Sequence, residues 1–343
     1  MKAIISLPIG SLDATASSPV QLHAPAEQAQ PRLPRVVHTA RKGAVLYPSP
    51  IGDSSEVLSL NLARGCVHRC TFCSVRASPS YPGDAAVYLF TDTCERLAAE
   101  LAVRPRRPRA VYVSPSTDPF PPLAEFQAAT ARVVETLAGH GVEAWLMTRG
   151  YIRPGTLEVL AAHRDRVKVT VGMTTLDRTL QRVLEPLAAP PRLRLRQIAR
   201  LRSLGIPVQV AVEPLVPGLT DTRATLAPLL EALADAGVRH ITTGYMFLRP
   251  GIRDHMLGAL EAHGWDEMVL DAFTDGPVLA AGNIAAARYL PKARRQRGYA
   301  GLMALAAGLG MTVSVCGLTN PDFRPPRGRD TGARLRQRVL SFF

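Results

Sequence analysis

From residue 57 to residue 245, short apolar runs alternate with amphipathic stretches, and no other feature limits the fold of this 343-residue chain as tightly. Six runs have the length and branched-aliphatic content of strands, at 57–63, 110–113, 142–147, 167–173, 208–212 and 238–245. Helical stretches separate them, at 91–103, 123–138, 154–163, 177–184 with 192–204, and 223–234. Thr91 or Asp92 can cap the first of these, and Pro154 opens the third, where its missing N–H is harmless. Strands alternating with helices predict a parallel sheet with right-handed crossovers. The strand runs are apolar throughout, which predicts cover on both faces. Six such units fit either an open doubly wound sheet or a curved partial barrel.

The flanks differ from this middle. Residues 1–45 are rich in Ser, Pro, Ala and Gln without a sustained period, and read as a flexible arm. Past residue 250 come helical stretches at 251–263, 267–273 and 297–307, then an isolated strand at 311–315 and a basic tail ending Arg334-Leu335-Arg336-Gln337-Arg338. The expected division is an arm (1–45), an α/β body (46–250) and an α-rich C-terminal cap with its tail (251–343).

The chemistry is announced by Cys66-Val67-His68-Arg69-Cys70-Thr71-Phe72-Cys73, three thiols spaced Cys-x3-Cys-x2-Cys. Thiolates ligate iron–sulfur clusters. Three of them hold three irons of a [4Fe–4S] cube and leave the fourth iron open to a molecule that is not protein. A structural zinc site wants four ligands, usually as two pairs, and His68, inside the tight loop, is the only nearby fourth candidate. A disulfide framework suits neither five cysteines nor a start, Met1-Lys2-Ala3-Ile4-Ile5-Ser6-Leu7-Pro8, that lacks the features of a secretory signal. The expected compartment is the cytoplasm, where thiols stay reduced. No apolar run is long enough to span a bilayer.

Ligands of parallel β/α folds bind at the carboxyl ends of the strands. The cysteine loop follows the first strand, residues 114–118 the second, Thr148-Arg149 the third, Thr174-Thr175 the fourth and Glu213-Pro214 the fifth. Five strands thus point polar residues at one rim. Net charge is +13, almost all of it arginine, because lysine occurs only at positions 2, 42, 168 and 292. A balance of that size suits a phosphate-rich partner, and biased codon usage produces the same composition. Arginines gather at 104, 106, 107 and 109, at 192, 194, 196, 200 and 202, and at 294, 295 and 297. If these surround the rim, they hold a phosphate backbone while a base enters the site.

The cysteine triplet resembles the signature of the radical S-adenosylmethionine (SAM) superfamily. Its flanks, Asn61-Leu62-Ala63-Arg64-Gly65, Val111-Tyr112-Val113-Ser114-Pro115-Ser116-Thr117-Asp118-Pro119-Phe120, Thr174-Thr175-Leu176-Asp177, Leu184-Glu185-Pro186, Gly205-Ile206-Pro207-Val208 and Val216-Pro217-Gly218-Leu219-Thr220-Asp221, resemble the group related to spore photoproduct lyase, over residues 57–250. The resemblance implies a partial (β/α)6 barrel. It implies a [4Fe–4S] cluster on Cys66, Cys70 and Cys73, with SAM chelating the open iron, reduced by an external donor of flavodoxin or ferredoxin type. Reductive cleavage of SAM then yields a 5′-deoxyadenosyl radical that takes hydrogen from a substrate, a nucleic-acid base or alternatively a peptide or small metabolite. A non-catalytic iron–sulfur sensor that binds DNA is a third reading. Arg149 stands where spore photoproduct lyases carry a lysine near the SAM carboxylate, and its fork suits a carboxylate. Ser116, Thr117 and Asp118 face the SAM ammonium or hydroxyls, Thr174 and Thr175 line the same pocket, and Phe72 packs beside adenine. The lyases also carry a hydrogen-donating cysteine after the second strand. This chain has Ser114-Pro115-Ser116-Thr117 there, so the donor role passes to Cys316, while Cys94 reads as core.

Overall fold

The computed structural model describes residues 32–49, 56–281, 284–317 and 319–323. The basic tail and most of the arm lie outside them. Two short strands come first, β1 (Arg35–Thr39) and β2 (Tyr47–Pro48). The first apolar run is β3 (Val57–Leu60), followed by β4 (Ala63–Arg64), the cysteine loop, β5 (Ala86–Phe90) and helix α1 (Thr93–Val103). Then come β6 (Ala110–Val113), α2 (Ala124–Gly139), β7 (Glu143–Thr148), α3 (Pro154–Ala162) and β8 (Val167–Gly172). The broken crossover is α4 (Arg178–Leu184) and α5 (Pro191–Ser203), leading to β9 (Val208–Leu215), α6 (Arg223–Asp235) and β10 (His240–Tyr245). The C-terminal part holds α7 (Pro250–Glu261), α8 (Asp266–Asp271), β11 (Val278–Ala281), β12 (Ile284–Arg288), α9 (Lys292–Gly308) and β13 (Thr312–Val315).

The main sheet runs β13-β10-β9-β8-β7-β6-β3-β2. All its pairs are parallel except β2 on β3. From β3 to β10 the spatial order follows the sequence order. With right-handed crossovers, a sheet that grows in one direction puts every helix on the same face, so the doubly wound alternative is set aside. The sheet is the wall of a barrel whose ends, β13 and β2, are not paired to each other among the described residues.

That wall corrects one expectation. Only the helix-facing side is hydrocarbon: Leu60, Val111, Val113, Leu146, Val169, Val171, Val210, Val212 and Ile241 are all at most 1% exposed. The opposite, concave side carries Ser59, Tyr112, Trp145, Thr170, Gln209 and Thr242, also buried. Strand periodicity marks both faces as inside. It does not tell a second helix layer from an enclosed chamber.

Three further elements differ from the sequence reading. Arg35–Thr39, assigned to the flexible arm, pairs in parallel with β5, and β4 pairs antiparallel on the other side. Val36 joins Ala63, Val67, Val87, Leu89 and Phe126 in a small core beside the cysteine loop. The strand at 312–315 is not isolated: it extends the main sheet in parallel beside β10, with α9 as its crossover. The cap is not helical only, since β11 and β12 form an antiparallel hairpin. Gly282-Asn283 between two apolar runs was its sequence signal. Among the described residues no helix is long and apolar enough to cross a membrane.

Candidate active site at the carboxyl rim

The cysteine loop leaves the carboxyl end of β3 and is held on several sides. Gly65 takes φ +89°, and a Cβ there would lie 2.9 Å from Pro82 and 3.3 Å from the Ala86 carbonyl oxygen. Thr71 donates its N–H to the Leu184 carbonyl (2.9 Å), and Leu187 donates to the His68 carbonyl (3.2 Å). Arg76 donates to the carbonyls of Arg69 and Cys70 and to Asp84. Cys70 is 8% exposed, and Cys66 and Cys73 are half-buried.

His68 does not serve as a ligand. It is 2% exposed, with Nδ1 3.0 Å from the Leu187 carbonyl oxygen and Nε2 3.2 Å from Asp118 Oδ2. Asp118 is equally committed. Its carboxylate accepts from Phe120 N–H (2.8 Å), Thr148 Oγ1 (2.7 Å) and Arg149 N–H (2.8 Å). Burial pushes its pKa up, but His68 and these donors outweigh burial and hold it below the usual range. The expectation that Asp118 meets the SAM ammonium is therefore corrected: its lone pairs are taken, and it locks the loops after β3, β6 and β7 together.

Ser116 and Thr117 stay half-buried beside it. Asn61, which carried no role in the sequence reading, accepts from Ser116 N–H (2.9 Å) and donates to Tyr47 Oη (2.6 Å). The Thr117 hydroxyl hydrogen-bonds the Cys66 thiol. Ser114 takes φ +61°, donating its N–H to the Leu60 carbonyl (2.7 Å) while its Oγ accepts from Leu62 (3.3 Å).

Behind Arg149 stands a buried ion cluster. Its Nε donates to Glu185 Oε1 (2.8 Å) and its Nη2 to the Glu213 carbonyl (2.6 Å). Its guanidinium lies 5.2 Å from the Phe72 ring centroid. Glu185 is fully buried and also accepts from Thr174 Oγ1 and from Arg194 Nη2. Arg194, 1% exposed, donates as well to the Gly172 (2.7 Å) and Ala189 (2.8 Å) carbonyls. Burial alone would raise the Glu185 pKa; Arg194, Arg149 and Thr174 reverse that and bring it down to about 2. Thr174 is thus engaged with Glu185, and Thr175 Oγ1 caps the next turn by accepting from Asp177 N–H (3.0 Å). The motif holding Glu185 was visible in the sequence; its partners, 36 and 9 residues away, were not.

Glu213 ends the lane along β9. Its pKa is raised by burial, and Arg149 offsets part of that. Cys316 follows β13, so it stands at the same rim, 8% exposed, its N–H donating to the Thr243 carbonyl (2.8 Å). Cys94 is partly buried against the main core, as expected.

The three cysteines fit a cluster by their chemistry and setting. Burial, then Asp118 and Cys73, push the Cys66 pKa up to about 12; burial, Glu185, Cys73 and Cys66 raise Cys70 further, with Arg149 opposing. Thiols so close that they raise one another's pKa need a cationic centre to ionise, and metal binding supplies it as protons leave. Among the described residues no three His, Cys, Asp or Glu side chains gather closely enough for one metal ion. A cube gives each thiolate its own iron, so its ligands stand further apart.

The arginine clusters do not ring this rim. Arg104, Arg106, Arg107 and Arg109 precede β6, and Arg200 and Arg202 end α5, all at the amino ends of the strands. Helices run back from the rim, so their negative C-terminal ends collect on that far side and favour cations. Arg107 donates to the His140 carbonyl after α2 (3.4 Å), and Arg239 to Ala234 in the last turn of α6 (2.9 Å). Arg194 and Arg295 are buried, the latter paired with Asp322 (2.5 Å). Arg192, Arg196, Arg294 and Arg297 remain on the rim side, near the N-termini of α5 and α9.

Residues 60–227 match the family model described as the radical SAM superfamily. With its thiol loop and parallel strands ending at one rim, the chain belongs to this superfamily of enzymes. It is 25% identical over 237 residues to an uncharacterised protein of Acidianus two-tailed virus, covering 65% of this chain and 77% of that one. It is 30% identical over 204 residues to an uncharacterised protein of Mycobacterium tuberculosis, covering 57% of this chain and 60% of that one. A Pseudomonas phage M6 protein named radical SAM Nalpha-GlyT isomerase is 25% identical over 280 residues, 81% of this chain and 56% of that one. The chain thus spans less than two thirds of the mycobacterial and phage relatives. In fold it is similar to a spore photoproduct lyase complexed with a dinucleoside spore photoproduct, with TM-score 0.64, 12% identity and 82% of each chain covered.

Proposed function

We propose that this chain uses a [4Fe–4S] cluster held by Cys66, Cys70 and Cys73 and a SAM molecule at the open iron to take hydrogen from a nucleic-acid base. The observation that carries the reading is the thiol loop, locked by His68 and Asp118 beside a buried guanidinium at the rim where five strands end. When bound, the cluster and SAM supply a 5′-deoxyadenosyl radical. The protein's own part is position. Glu185 holds Arg149 beside Phe72, Ser116 and Thr117 offer hydroxyls near Cys66, and buried Thr174 and Thr175 brace the pocket wall. The electron comes from an external flavodoxin- or ferredoxin-type donor, and the compartment that suits both is the cytoplasm. A base as substrate is supported by what the phage relative's name and the dinucleoside-bound lyase's title state of those proteins. The anaerobically reconstituted chain, reduced with dithionite, is expected to release 5′-deoxyadenosine from SAM slowly without substrate; none under strong reduction would end the reading.

Two residue assignments follow. Arg149→Ala is expected to raise the SAM dissociation constant about tenfold or more, the value of a charge-assisted hydrogen bond. Isothermal titration reads this, and an unchanged constant removes the assignment. Cys316 sits at the rim as the candidate hydrogen donor in place of the cysteine missing from residues 114–117. In D₂O its exchanged thiol would deliver one deuterium to the product. Cys316→Ala is expected to lose that deuterium and most of the product, as mass spectrometry would report.

A further inference from the structure

The concave face of the sheet keeps buried polar atoms with nothing to bond. Ser59 Oγ, Thr242 Oγ1 and both amide atoms of Gln209 have no hydrogen-bond partner among the described residues. Their residues are 0%, 6% and 6% exposed for Ser59, Gln209 and Thr242. Buried polar groups are normally paired, so four such atoms on one face mark a place that something polar fills. Register puts them on that face together: Ser59 lies beside Tyr112, Gln209 beside Thr170, and Thr242 beside Ala211.

The lane along β9 leads to the rim. Gln209, Ala211 and Glu213 alternate onto the concave side, and the small Ala211 leaves space between the amide and the rim carboxylate. Cys316 stands at the mouth, where a Cβ on Gly244 would lie 3.6 Å from its own. Tyr112 spans the chamber: its hydroxyl is 3.3 Å from Met147 Sδ, and Glu213 and Cys316 both lie near enough to raise its pKa. The floor is closed by Trp145, whose Nε1 donates to Glu143 (2.9 Å), under Arg109 at 4.9 Å from the ring centroid. The one lysine there, Lys168, is bound to Glu143 at 2.9 Å.

We propose that Gln209, with Thr242 and Ser59, reads the hydrogen-bonding edge of a neutral nucleobase drawn below the rim. This rests on the reading of the site given above. A carboxamide sets one donor beside one acceptor, the complement of a base edge that carries the same pair. The two hydroxyls give or accept as the base requires. The chamber offers no uncommitted cation, so phosphate stays outside, at the helix N-termini of the rim. A base reaches such a chamber only by leaving its stack.

The test is equilibrium dialysis of thymidine, deoxycytidine, deoxyadenosine, deoxyguanosine and N-acetylglycinamide against the reconstituted full chain. Wild type is compared with Gln209→Leu and Thr242→Val, near-isosteric changes that remove the polar atoms. At least one nucleoside should bind saturably, roughly tenfold more weakly to Gln209→Leu and less weakened in Thr242→Val, since a good bidentate pair is worth about that factor. Equal nucleoside binding in all three proteins, together with an unchanged or raised melting temperature in the variants, would mean that water alone fills the chamber and would overturn the proposal. Saturation by the peptide amide alone would overturn it too, as would no saturable nucleoside. If Gln209→Leu fails to fold, Thr242→Val and Ser59→Ala carry the same comparison. Release of 5′-deoxyadenosine by wild type alone reports separately on the radical reading.

Discussion

Replacing Cys66, Cys70 and Cys73 together by alanine is expected to take iron from about four atoms per chain to none, as a cube with three protein ligands requires. The visible absorption of the cluster should vanish, and release of 5′-deoxyadenosine should fall to background. Single substitutions should each lose most of the iron, because two thiolates leave two irons of a cube without protein ligands. The fold should survive. The loop is held by contacts that the thiols do not make, among them Thr71 N–H on the Leu184 carbonyl (2.9 Å) and His68 between Leu187 and Asp118. Far-ultraviolet circular dichroism of the triple variant would therefore stay close to that of the parent. Iron–sulfur absorption that persists in the triple variant, or stoichiometric zinc in the parent, would sink the cluster reading.

Glu185→Gln is expected to be the most destabilising single change at the site. It removes the one buried carboxylate between Arg149 and Arg194, side chains 15% and 1% exposed. Two guanidinium ions then face each other with no compensating charge. Breaking a buried ion pair in this way costs about 3–5 kcal/mol, and about 2–4 °C of melting temperature accompanies each kcal/mol in a domain of 150–250 residues. SAM affinity should fall with stability, since Arg149 loses its anchor. A melting temperature within a degree or two of the parent would show that water already reaches this cluster.

The same residue predicts an acid limb. The folded pKa of Glu185 is about 2, below its ordinary value, despite burial, because Arg194, Arg149 and Thr174 hold the charged form. A depressed carboxylate adds stability above its unfolded pKa and loses it as pH falls toward the folded value. Its contribution is thus complete above about pH 4–5, near the unfolded glutamate pKa, and is lost as pH falls toward about 2. The stability–pH slope of Glu185→Gln should be shallower than the parent's across that window, as denaturant melts at stepped pH would measure.

Local order was legible because it is written in short-range pattern. The run at 110–113 is the strand Ala110–Val113, and Asp177, placed at a helix start, does cap α4 by accepting from Leu180 N–H (2.8 Å). The cysteine spacing and the placing of polar motifs after strands needed no tertiary knowledge either. Asp92 shows the limit. It precedes α1 as expected, yet its carboxylate accepts from Arg41 N–H (3.0 Å), not from its own helix. β13 escaped for a related reason: α7, α8 and the hairpin interrupt the strand–helix rhythm before α9 resumes it.

The sequence by itself determined the class of fold, the thiol loop and the end of the sheet where chemistry is done, since each depends on residues within one strand, turn or helix. Only the tertiary structure decided which partners those residues take. Asp118, expected at a ligand, instead meets His68 at 3.2 Å, and arginines expected at the rim cover helix C-termini or, like Arg194, lie buried. It also decided that the inner face of the barrel is a polar chamber and not a second apolar layer. Charge pairing and enclosure depend on distance through space, and periodicity along the chain reports burial without saying what is buried against what.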